Sequence, residues 1–133
     1  MKDKHTLLII DDTLTNIELI KAIIDDEYNT LSAVNGMDGL ELAERMQPDL
    51  IILDVMMPEM DGYEVCQRLK RNPKTEAIPV IFVTVLDHDE DAEIGLVAGA
   101  IDYIAKPYHP ASVKAKIRNH LAYRALIEKN RIG

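Results

Sequence analysis

Five short stretches of this chain are rich in apolar residues: "TLLII" (6–10), "YNTLSAV" (28–34), which also carries Asn29, Thr30 and Ser32, "LIIL" (50–53), "PVIFVT" (79–84) and "AIDYIA" (100–105). Runs of this length bounded by turn residues read as strands. The absence of a period-two pattern indicates strands covered on both faces. The intervening segments have a different rhythm. In "TLTNIELIKAIIDDE" (13–27), Ile17, Ile20 and Ile24 stand at i, i+3 and i+7, the spacing of an amphipathic helix that Thr13 or Thr15 would cap. "MDGLELAERM" (37–46) follows Asn35-Gly36 and stops before Pro48; "YEVCQRLKR" (63–71) follows Asp61-Gly62 and ends near Asn72-Pro73. "DEDAEIGLVAG" (89–99) is predicted as a fourth helix, and a fifth starts with Pro110 in its first turn. Strand and helix alternate five times, which implies an α/β protein: a doubly wound, three-layer, five-stranded parallel sheet with right-handed crossovers and five helices.

A length of 133 residues suggests one domain, residues 1–133, able to bury about two-thirds of its unfolded surface without a covalent staple. The single cysteine, Cys66, excludes an internal disulfide and reads as an ordinary packing or surface residue; a reducing, cytoplasmic setting fits. No apolar run approaches the roughly 18 residues of a membrane span, and "MKDKHTLLII" has no signal-peptide pattern. A net charge of −8 argues against direct contact with nucleic acid. Basic residues concentrate after Lys106, opposed only by Glu128, while "DHDEDAE" (87–93) is acidic. His5, His88, His109 and His120 are too scattered for a zinc site. In the last helix Val113, Ile117 and Leu121 form a stripe for the sheet. Leu126, Ile127 and Ile132 lie beyond it, as they would either in a frayed tail or in a helix running toward an output domain absent from this chain.

The chemistry concentrates where strands end. Asp11 and Asp12 follow the first strand, Asp54 the third, Thr84 the fourth and Lys106 the fifth. Ligands of open parallel sheets bind beyond these carboxyl ends, at the switch in strand order. If strands one and three are neighbours there, the five side chains converge. Two unit charges at about 4 Å repel by roughly 4 kcal/mol at an effective dielectric near 20, so three gathered carboxylates require a shared proton or a hard divalent cation such as Mg²⁺. A carboxylate so placed is a nucleophile able to form an aspartyl-phosphate, with Lys106 and the Thr84 hydroxyl available to the incoming charge.

These motifs, "DD" after strand one, "LDVMMPEMDG" around strand three, "VT" after strand four and "DYIAKP" at strand five, resemble those of the receiver domains of two-component response regulators over residues 5 to 125. The resemblance implies a flavodoxin-like strand order 2-1-3-4-5. It implies Asp54 as phosphoacceptor, with Mg²⁺ held by Asp12, by Asp11 mainly through water, by Asp54 and by the Met56 carbonyl. Thr84 would hydrogen-bond the phosphoryl group, Lys106 would pair with it, Lys106-Pro107 would be a cis peptide, and Tyr103 would be the aromatic that turns inward on activation. The implied phosphodonor is a phosphohistidine on a sensor histidine kinase or phosphotransfer protein. The output would be control of a partner or output domain through the face around strand five, which many receivers use to dimerise. Val85 stands where a small residue is commoner, and Met56 and Leu86 are apolar where some relatives place water with polar groups; slow hydrolysis of the phosphoryl group is therefore expected. Met56, Met57 and Met60 read as packing.

Three alternatives fit less well. A phosphatase of the haloacid dehalogenase type needs acids at i and i+2, but here they are adjacent and Thr13 occupies i+2. A flavin-binding carrier needs a hydroxyl- and glycine-rich phosphate loop, where "DDTLTN" would repel phosphate. A receiver-like module that binds without phosphorylation would not need the five intact positions.

Overall fold

The computed structural model describes residues 4–85 and 99–132. Five strands, β1 (Thr6–Ile10), β2 (Asn29–Ala33), β3 (Leu50–Asp54), β4 (Val80–Thr84) and β5 (Asp102–Ala105), form one sheet in the order β2-β1-β3-β4-β5. Every pairing is parallel, as the alternation of runs requires. The described helices are α1 (Leu14–Ile24), α2 (Gly36–Met46), α3 (Gly62–Arg71) and α4 (Pro110–Ile132). The helix expected over 89–99 lies largely outside the described residues, as do Leu86, His88 and the acidic run 87–93.

Each inner strand divides its side chains between two cores. Leu8, Ile10, Ile51, Leu53, Val80 and Phe82 pack with Ala43 of α2 and with Val65, Cys66 and Leu69 of α3. Leu7, Ile9, Leu50, Ile52, Ile81 and Val83 pack with Ile17, Ile20 and Ile24 of α1 and with Val113, Ile117 and Leu121 of α4. This explains the missing polar alternation: both faces of β1, β3 and β4 are buried. Each fully buried Leu or Ile contributes roughly 1.5–3 kcal/mol of transfer free energy. The edge strands β2 and β5 carry exposed residues as well, including Asn29, Ser32 and Tyr103.

Local signals set the helix ends. The Asn35 side chain accepts from Asp38 N–H at 2.8 Å and that of Asp61 accepts from Glu64 N–H at 2.9 Å, each satisfying an orphan donor of a first turn. Gln47 ends α2 in the left-handed region at φ 49°. α1 stops at Ile24 and tightens into a 3₁₀ turn, Asp25–Glu27, instead of continuing as one helix through residue 27. At the far end of the sheet, Arg124 of α4 donates to the Asp49 carbonyl at 2.6 Å, tying α4 to the start of β3. Beyond that tie Leu126 and Ile127 are exposed.

Candidate functional site

The carboxyl ends of β1 and β3 are adjacent because Ile10 pairs with Leu53. The ladder continues one residue further on each side: Asp11 N–H donates to the Ala33 carbonyl at 3.1 Å and Val55 N–H to the Val83 carbonyl at 3.1 Å. Asp11 and Asp54 are therefore held by regular backbone, not by mobile loop. One ligand oxygen from each of Asp11, Asp12 and Asp54 lies within 4.8 Å of the others. Asp11 and Asp54 are 1% and 3% exposed, whereas Asp12 faces solvent.

Each acid has a distinct environment. Asp11 Oδ1 accepts from Thr13 N–H at 2.9 Å and from the Asn16 amide at 3.5 Å, while its Oδ2 is buried with no hydrogen-bond partner among the described residues. Asp54 Oδ1 accepts from Met56 N–H at 3.2 Å and lies 3.6 Å from Lys106 Nζ. Burial, and then the charge of Asp11, raise Asp54 from 3.8 to about 6; Lys106 and the Met56 N–H oppose the rise without cancelling it, and Asp12 adds to it.

Thr84, 9% exposed, ends β4 one residue beyond Val83, the register partner of Asp54, and its carbonyl accepts from Lys106 N–H at 2.9 Å. That bond fixes the backbone of Lys106, and the Lys106-Pro107 peptide is cis. The loop after Asp54 is shaped by Glu59 at φ 67° and by Gly62, whose N–H donates to the Val55 carbonyl at 2.9 Å. A Cβ on Gly62 would meet the Asp54 carbonyl oxygen at 2.4 Å, so only glycine lets α3 start this close to β3.

The structure thus brings Asp11, Asp12, Asp54 and Lys106 together and sets Thr84 on the adjoining strand end. Tyr103 is elsewhere: on β5, 38% exposed, with Lys116 Nζ 4.6 Å from its ring centroid. Of the three methionines read as packing, Met57 is buried and Met60 packs against the core, but Met56 is 69% exposed because its backbone, not its side chain, faces Asp54. Val85 is exposed too. Sequence reasoning passed over Asn16, one turn into α1, and Tyr108, whose hydroxyl is buried without a partner among the described residues. Tyr108 stands two residues past Lys106, and that spacing was the available signal.

The donor set suits a hard cation. It is all oxygen, it gathers three carboxylates, and one buried oxygen of Asp11 lacks a partner among the described residues; Mg²⁺ would answer the repulsion and help to satisfy that atom.

A family model described as the response regulator receiver domain matches residues 7–118. The chain belongs to this family and is a phosphorylation-dependent signalling switch. The response regulator PleD of Caulobacter vibrioides is 40% identical over 126 residues, covering 94% of this chain and 28% of PleD. The chain spans less than half the length of the first curated relatives it matches. Among solved structures, the signal receiver domain of a signal transduction histidine kinase from Syntrophus aciditrophicus is 37% identical, with a TM-score of 0.81 over 89% of this chain and 90% of that one. The receiver domain of a sensor histidine kinase from Pseudomonas aeruginosa, solved with a magnesium ion in its active-site cleft, is 26% identical, with a TM-score of 0.82 over 90% of this chain and 98% of that one. Receiver domains are phosphoacceptors that bind Mg²⁺ at an acidic pocket and interact with histidine kinases or phosphotransfer proteins. Among the described residues no helix is long and apolar enough to cross a membrane.

Proposed function

We propose that Asp54 is the phosphoacceptor of this switch and that the chain acts on itself rather than turning over an outside substrate. An ionised Asp54 oxygen attacks the phosphorus of a phosphohistidine on a sensor histidine kinase or phosphotransfer protein. The new O–P bond forms as the N–P bond breaks, and the imidazole leaves with the electron pair and takes up a proton. Asp11, Asp12, Asp54 and the Met56 carbonyl would hold Mg²⁺, which supplies positive charge to the phosphoryl oxygens. Lys106 Nζ, 3.6 Å from Asp54 Oδ1, pairs with the transferred group, and the Thr84 hydroxyl donates to it. The observation that carries this reading is the burial of Asp54 beside Asp11 with a lysine in reach. Intact mass after incubation with acetyl phosphate and Mg²⁺ tests it. Wild type gains the mass of one phosphoryl group and Asp54→Ala gains none; equal gain in both rejects the assignment.

Thr84 and Tyr103 form the switch. On phosphorylation the Thr84 hydroxyl moves to the new oxygen, the Tyr103 ring leaves Lys116 and turns inward, and the β5–α4 surface changes. That surface carries Asp102, Tyr103 and Lys116 in mutual contact, which supports its use in a phosphorylation-promoted homodimer. Beryllofluoride with Mg²⁺ then shifts sedimentation toward dimer; a monomer unchanged at high concentration rejects this face as a self-interface. Residues 1–133 act as a single receiver domain. The exposed Tyr123, Leu126 and Ile127 on α4 support its role as the route to an output domain or partner.

A further inference from the structure

Among the described residues two buried side-chain atoms have no hydrogen-bond partner: Oδ2 of Asp11 and the hydroxyl of Tyr108. They lie on the same side of the sheet. The β1 ladder runs on through Asp11, so its side chain continues the row of Leu7 and Ile9, which faces α1 and α4. Tyr108 packs against that same group of residues after the chain leaves β5. The charges of Asp11 and of Asp54 also act on the phenol, holding it above its ordinary range together with the larger effect of burial.

A phenylalanine would supply the packing of Tyr108 without stranding a hydroxyl. An unsatisfied buried hydroxyl is destabilising, and an unsatisfied carboxylate oxygen is at least as much so. No direct bond joins the two atoms. One ordered water between them answers both, since the phenol donates to it and it donates to the carboxylate.

We propose that Tyr108 is a positioning residue of the acid cluster: its hydroxyl, through one ordered water, fixes the free oxygen of Asp11 and so the carboxylate geometry that a divalent cation meets. This rests on the reading of the cluster as a Mg²⁺ site. Groups that orient a ligand without touching the metal typically contribute ten-fold or more to affinity.

The test uses the full chain and Mg²⁺ alone, with no phosphodonor, following backbone amide shifts of residues 11–13 and 54–56 by NMR. Tyr108→Phe binds Mg²⁺ about ten-fold more weakly than wild type, while its metal-free amide shifts away from the cluster match those of wild type, because phenylalanine keeps the packing against the sheet. Equal affinity in the two proteins overturns the proposal. So does a weaker affinity accompanied by metal-free shift changes spread through the core that Tyr108 packs against, which makes Tyr108 a packing residue only. A wild type that shows no response to Mg²⁺ overturns the reading of the cluster itself and this inference with it, whereas a wild type that binds as well as Tyr108→Phe overturns the inference alone.

Discussion

Replacing Asp54 with asparagine should stabilise this protein in the absence of metal, by an amount that depends on pH. In the folded chain Asp54 titrates near 6 instead of 3.8, because burial and the charge of Asp11 disfavour its ionised form. A carboxyl raised on folding binds its proton more tightly in the native state. Its contribution to stability is therefore complete below pH 3.8 and lost as pH rises through about 6. The gap between those two values corresponds to roughly 3 kcal/mol by linkage, with Lys106 already counted among the causes. Asp54→Asn removes the charge and keeps the shape, so in EDTA at pH 7.5 it should be more stable than wild type by about 2–3 kcal/mol. That is about 10 °C in thermal midpoint for a chain of this size. Near pH 4 the advantage should shrink below about 1 kcal/mol, since wild-type Asp54 is then largely protonated. Added Mg²⁺ should narrow the gap at pH 7.5, because a cation at one hundred times its dissociation constant stabilises the wild type by about 2.7 kcal/mol and the variant far less. Paired urea titrations at the two pH values, with and without Mg²⁺, measure all four quantities. Equal stability of the two proteins at both pH values without metal would refute the reasoning, since it would mean that Asp54 is not held at an electrostatic cost.

Gly62→Ala should lose about 2–4 kcal/mol in the same urea assay, because its Cβ would sit 2.4 Å from the Asp54 carbonyl oxygen and 2.8 Å from Val55 Cα, backbone that cannot yield without moving the site. Cys66 is fully buried and its thiol is pushed up to about 11, so it should resist thiol reagents in the native protein and react at once in denaturant; rapid native labelling would contradict the packing of α3 on the sheet. Lys106→Met removes the cation that lowers Asp54, so the carboxyl carbon of Asp54 should titrate at higher pH by NMR than in wild type; an unchanged midpoint would show that the 3.6 Å pair is not felt. Met56→Asn should speed loss of the phosphoryl group several-fold, because the exposed side chain stands beside the N–H that touches Asp54 and an amide there orients water; identical decay would remove Met56 from the explanation of a slow rate.

The sheet and its two cores were legible because burial on both faces leaves the uninterrupted signature of "LLII", "LIIL" and "VIFV". The α2 start and the α3 start were legible from Asn35-Gly36 and Asp61-Gly62. The acids were legible because a charge at the end of an apolar strand has no packing role. Contacts between distant segments left no mark. Arg124 and Asp49 are 75 residues apart, and nothing in either local pattern announces their bond. The 2.9 Å pair of His120 with Asp102 was hidden for the same reason. Burial would raise Asp102, but the hydrogen bonds from His120 and the Tyr103 N–H, with the charge of Lys116, outweigh it and hold the carboxyl below its usual range. Met56 misled because a methionine beside a core strand reads as packing, whereas the turn after Asp54 directs the side chain outward. Tyr108 escaped notice because an aromatic after Lys-Pro satisfies the eye as core; only the stranded hydroxyl, visible once burial is known, separates it from phenylalanine.

The most direct measurement is a crystal structure of the protein with Mg²⁺ and beryllofluoride. It should place the fluoride adduct on an Asp54 oxygen, the cation against Asp12, Asp54 and the Met56 carbonyl with Asp11 joined through water, and the adduct within reach of Lys106 Nζ and the Thr84 hydroxyl. An adduct on any other side chain, or a cation bound away from Asp54, would contradict the assignment of this cluster as the phosphoacceptor site.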